Sequence, residues 1–150
     1  MSKIYTSRYA NPELAGDKYY TVGISLGKPK FRIPYRESDH CYAFAPDRSF
    51  FYLPDDQFDE RYLKKLESMG AQRVKSILDI LVSKAGDKDV VLLCFEDVRN
   101  PEEECHRTAF AAWCNANIGT DIQELFDPTV PKSKRKPEKA EPEMEQMSLF

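Results

Sequence analysis

The chain has 150 residues, of which 41% are hydrophobic and 31% charged, with a formal net charge of −3. This length and apolar content predict one compact domain, able to bury about 70% of the surface its unfolded chain exposes. The charge excludes a bulk attraction to nucleic acid. Residues 128–150 hold five Lys or Arg against four Glu, and the rest, with 17 basic and 21 acidic residues, is mildly acidic, so contact with phosphates needs a local basic patch.

The sequence contains neither an N-terminal apolar run with a cleavage site nor eighteen consecutive apolar residues. The expectation is a cytoplasmic protein without a membrane partner. Cys41, Cys94, Cys105 and Cys114 lack Cys-x-x-Cys spacing and read as reduced thiols rather than a disulfide framework.

In chain order, "KIYTSRY" and "YYTVGIS" are β-branched and aromatic runs that predict strands. "LGKPKFRIPYRE", with two prolines and a glycine, predicts a loop or irregular edge segment. "SFFYLP" suits either a third strand or an apolar plug. The period then changes. "PDDQFDERYLKKLESMG" has acidic residues early, lysines later, and Phe58, Tyr62, Leu66 and Met69 on one face before Gly70, which predicts a helix with a glycine stop. "AQRVKSILDILVSKAG" repeats the pattern through Val74, Ile77, Leu78, Leu81, Val82 and Ala85, closing on Gly86.

"DVVLLCFE" is apolar without alternation from Val90 to Phe95, as expected of a central strand covered on both faces. "NPEEECHRTAFAAWCNAN" predicts a third helix, with Asn100 as cap, Pro101 in the first position and three glutamates at the positive end of the dipole. "TDIQELF" suits a last short strand. This order predicts a single small α/β domain over residues 1–127, a mixed or mostly parallel sheet with helices packed on its faces. Residues 128–145 are nearly devoid of apolar side chains and predict a disordered linker.

Chemistry concentrates in "VVLLCFEDVRNPEEECHRTAFAAWC". Ligands of α/β sheets bind beyond the carboxyl ends of strands, which is where Cys94 and Glu96 fall; Cys105, His106 and Arg107 open the following helix. A thiol at a helix N-terminus beside His and Arg is suited to be a nucleophile, with Glu96 orienting His106 or acting as general base. The plainer reading makes Cys94 a small core residue, puts His106 and Arg107 on a solvated face or in a salt bridge, and leaves Cys114 in the core with Phe110 and Trp113. Cys105 with His106, and His40 with Cys41, are sequence neighbours, and adjacent helical side chains diverge by about 100°. The usual zinc spacings are also absent, so neither a metal nor another cofactor is expected. Arg8, after the first strand, lies at the same end as Cys94 if those strands run parallel and can meet an anionic ligand there or pair with a carboxylate. Gly23 and Gly27 form no phosphate-binding fingerprint.

The run Leu92, Leu93, Cys94, Glu96 followed by Cys105, His106 and Arg107 resembles the hallmark of the domain-of-unknown-function 488 (DUF488) family. "IYTSRY" and "VGISLGKPKF" are similar to the amino-terminal part of its shorter members, so the likeness covers most of residues 3–125. The chain departs from that pattern in the longer insert "DVRNPEE" between the two motif halves. The resemblance implies a small α/β fold with a polar pocket near Cys94, Glu96, Cys105, His106 and Arg107, and assigns no reaction.

The chain ends in "QMSLF". Gln146, Ser148, Leu149 and Phe150 resemble the short peptide by which bacterial replication and repair proteins dock on the DNA polymerase sliding clamp; Met147 replaces the usual leucine at conserved volume. A chance match at a fixed site is on the order of 10⁻⁵ from average residue usage. A linker of about eighteen residues spans roughly 25 Å and holds a tethered domain at an effective concentration near millimolar. Lys132 to Lys136, "KSKRK", can add salt-sensitive contact to DNA. The first functional expectation is thus a DNA replication or repair protein tethered to the clamp. The second is a cysteine-dependent enzyme on a small anionic or nucleotide-like substrate, with Arg107 as anion clamp. The third is a non-catalytic binding module. The sequence says nothing of oligomeric state.

Overall fold

A computed structural model describes residues 3–100 and 105–131. The expected tail peptide, Gln146 to Phe150, and nearly all of the linker lie outside them. The domain holds strands β1 (Ile4–Arg8), β2 (Tyr19–Gly23), β3 (Asp39–His40), β4 (Asp89–Cys94) and β5 (Gln123–Glu124), and helices α1 (Asp55–Met69), α2 (Ala71–Ala85) and α3 (His106–Asn117). The five strands form one sheet in the order β3-β2-β4-β1-β5. Every pairing is parallel, so the expected α/β class holds and the sheet has no antiparallel member among the described residues.

The unbroken apolar run of β4 puts it at the centre of the sheet, and its side chains divide between two cores. Val90 and Leu92 join Val22, Tyr62, Leu66, Val74, Leu78 and Phe110 in a cluster to which all three helices contribute. Val91 and Leu93 pack on the other face with Tyr9, Leu14 and Leu125, flanked by Tyr5, Tyr19 and Tyr35. That second layer is built from loops, a 3-10 turn and aromatic side chains, so α1, α2 and α3 share one face rather than clothing both. Burying apolar area on both faces is the dominant stabilising contribution, at about 25 cal/mol per Å².

One local alternative is decided and two local expectations are corrected. "SFFYLP" forms a 3-10 turn over Arg48–Tyr52, and only Phe50 of it is buried; it is a plug, not a strand. Helix α3 starts at His106 with Cys105 as its N-cap residue, so Asn100 is not the cap. The segment from 128 does not leave the domain at once, because Thr129 accepts through its hydroxyl from Arg8 Nη2 and Arg99 Nη2, both at 2.9 Å.

Candidate active site

Parallel strands bring their carboxyl ends to one edge, and the register sets Arg8 opposite Cys94 and Gly23 opposite Leu93. Cys94 closes β4. Cys105 stands at the entry to α3 with extended backbone, φ −141° and ψ 140°. Since Cys105 is not yet helical, the 100° divergence of neighbouring helical side chains does not apply, and its sulfur and the His106 ring point to the same place. Cys94 Sγ, Cys105 Sγ and His106 Nδ1 all lie within 4.8 Å of one another; Nδ1 is 3.7 Å from Cys94 Sγ and 3.9 Å from Cys105 Sγ. Glu96 Oε1 is 3.6 Å from Cys94 Sγ. The sequence-based candidates Cys94, Glu96, Cys105 and His106 therefore converge.

His106 is held in one orientation. Its Nε2 lies 2.6 Å from the Ile24 carbonyl oxygen, which can only accept, so Nε2 carries a hydrogen and Nδ1 faces the two sulfurs, as a lone pair in the neutral ring and as an N–H donor once it has taken a proton. Tyr62, wholly buried, stacks edge-on against the ring with centroids 5.1 Å apart. All four cysteines are free thiols. Burial opposes ionisation of Cys105, but hydrogen bonds from Cys94 and His106 and the nearby Arg107 charge bring its pKa well below the usual thiol range. Cys94 moves the other way: its hydrogen bond with Cys105, then burial, keep it a protonated thiol. Burial raises the Glu96 carboxyl, and the Cys105 charge adds to the shift.

Arg107 and Arg8 are engaged with carboxylates of the fold. Arg107 is completely buried and grips Glu124 through Nε at 3.1 Å and Nη2 at 2.7 Å, while its Nη1 has no hydrogen-bond partner among the described residues. Arg8 pairs with Asp127 at 2.7 Å. Both arginines pair with carboxylates of the fold, and neither lines the cavity beside Cys94 and Cys105.

The converged side chains line a cavity of about 400 Å³. Its apolar wall is Leu26, Phe51, Leu53, Phe58 and Phe95, and its remaining polar lining is Ser25, Asp59 and Glu96. Neither Lys nor Arg lines it among the described residues, whereas Asp59 and Glu96 do, so its described lining offers no cationic side chain to an anionic substrate.

Beside the cavity lies a polar network that sequence reasoning missed. The Tyr9 hydroxyl bonds to Ser25 Oγ at 2.9 Å and donates to Glu37 Oε2 at 3.2 Å, and His40 joins Glu37 to the Ser25 carbonyl. A Cβ at Gly23 would collide with Glu37 Oε2, His40 Nδ1 and the Tyr9 hydroxyl. Glycine at a strand end is the one sequence signal of this crowding. Compared with protein-family models, curated proteins and solved structures, the chain matches none.

Proposed function

We propose that the domain is a cysteine-dependent enzyme acting on a small uncharged substrate, and that the tail addresses it to the bacterial sliding clamp in DNA replication or repair. The observation that carries the enzymatic half is the convergence of Cys105 Sγ, Cys94 Sγ and His106 Nδ1 at a cavity whose wall is largely apolar. The likeness to the domain-of-unknown-function 488 family fits this reading, because it rests on these same residues.

In this reading the Cys105 proton passes to His106 Nδ1 while Nε2–H stays on the Ile24 carbonyl. The sulfur lone pair forms a C–S bond at an electrophilic acyl carbon, and the leaving group departs with the proton from Nδ1. Water then attacks the thioester as Nδ1 takes its proton and returns it to the sulfur. Cys94 donates a hydrogen bond to the thiolate, and Glu96 orients the water. A neutral nitrophenyl ester tests this: one acyl group is expected on Cys105 by mass spectrometry, with a carboxylate-bearing analogue at least ~10-fold slower. Equal reaction in Cys105→Ser would remove the basis of the reading.

The addressing half is supported by the "QMSLF" peptide itself and by where the last described residues sit. Thr129 is tied to Arg8, at the end of β1, and to Arg99, in the loop after β4. Both lie at the carboxyl edge that carries the cavity, and in the sequence the basic run Lys132 to Lys136 begins three residues after Thr129. In fluorescence-anisotropy titrations with the clamp, the whole chain is expected to bind and the Leu149→Ala/Phe150→Ala variant to bind at least ~10-fold more weakly. Identical curves would exclude the tether.

A further inference from the structure

We infer that Cys94 Sγ, Cys105 Sγ and His106 Nδ1 form a three-ligand site for a soft divalent cation, zinc above all, with a fourth position open to the cavity. The donor set is one zinc prefers, thiolate sulfur with imidazole nitrogen. The geometry matches too. Bonds of about 2.3 Å to sulfur and 2.0–2.1 Å to nitrogen at a tetrahedral angle place sulfur roughly 3.6 Å from nitrogen; the two observed separations are 3.7 and 3.9 Å.

The surroundings add independent support. Metal-bound histidines donate their other ring N–H to a carbonyl or carboxylate, which fixes the tautomer, and His106 Nε2 already does so to the Ile24 carbonyl at 2.6 Å. The ligating nitrogen is thereby a lone pair aimed at both sulfurs. Two thiolates balance the charge of the ion. All three ligand residues line the cavity, so the fourth position faces its interior. Glu96 Oε1, 3.6 Å from Cys94 Sγ, is close enough to complete the shell or to hold a water bound there.

The consequence goes beyond the enzymatic reading. A sulfur bound to zinc shares electron density with the metal and is a weaker nucleophile than the free thiolate, so metal occupancy slows thiol chemistry at this site. Zinc therefore acts here as a reversible brake on Cys105.

The test is competition for zinc between the reduced, metal-stripped full chain and a chromophoric chelator, with cobalt(II) substitution as a second readout. The wild type is expected to take one equivalent of zinc, and its cobalt form to show thiolate-to-metal charge transfer with the intense visible bands of a tetrahedral site. Cys94→Ser and Cys105→Ser are each expected to lose at least about 100-fold in affinity, and Cys41→Ser none; circular dichroism checks that each variant is folded. Zinc binding in the wild type no tighter than in Cys105→Ser, or a cobalt spectrum without charge transfer, overturns the inference. Acylation of Cys105 in the metal-stripped protein reports separately on the enzymatic reading, so either can fail while the other stands.

Discussion

At the scale of single residues, the site depends on what each side chain is denied. Arg107 is denied water altogether, and its charge is compensated by Glu124, whose side chain stays one-third exposed. The pair is therefore asymmetric. Removing the carboxylate strands a buried cation, whereas removing the arginine leaves a glutamate that water can still reach. Glu124→Ala is expected to cost about 3–5 kcal/mol and Arg107→Met clearly less, read as the shift in urea-unfolding midpoints. Equal losses would mean that Arg107 is better solvated than its burial implies. The pairing was illegible in the sequence because its partner lies 17 residues on, in a two-residue strand without periodicity. Cys105 was legible as a helix-start thiol. Its convergence with His106 was not, since that depends on Cys105 keeping extended backbone before the first helical turn.

At the scale of elements, the loop after β4 and the segment after β5 are knotted together by charge. Arg99 holds both Asp97 oxygens at 2.9 Å and the Thr129 carbonyl oxygen at 2.6 Å, and Arg8 holds Asp127. Burial opposes ionisation of Asp127, but hydrogen bonds from Arg8 and Thr129 outweigh it and lower its pKa from 3.8 to about 2. Its folded value lies below its unfolded one, so Asp127 adds stability that is complete above the unfolded value and is lost as pH falls toward about 2. The stability gap between wild type and Asp127→Asn should accordingly narrow from about pH 5 to about pH 2 in urea titrations. A gap independent of pH would mean that Asp127 is not ion-paired in solution. The long helices and β4 were legible because their apolar periods are strong. The two-residue strands β3 and β5 carry no pattern to read, and Asn100 looked like a cap only because caps are recognised by residue type rather than by where the helix begins.

At the scale of the whole molecule, the central strand explains the position of the site. β4 is apolar from Val90 to Leu93, so the first chemistry-bearing side chains of its carboxyl end emerge where the sheet ends and α3 begins. The strand-end rule therefore found Cys94, Glu96, Cys105 and His106 from sequence, while the aromatic wall of the cavity and the Tyr9–Ser25–Glu37–His40 network came together only through folding. Among the described residues no helix is long and apolar enough to cross a membrane. The central claim is that Cys105 is a nucleophile set apart from the other thiols. Site-resolved alkylation with iodoacetamide, at neutral pH on metal-stripped protein, tests it most directly. An ordinary thiol is only a few per cent ionised at that pH, and the gain from full ionisation is partly offset by lower intrinsic nucleophilicity. Cys105 is therefore predicted to react roughly 10-fold faster than Cys41 and Cys114. Four cysteines that all react no faster than a free-thiol control would contradict the account.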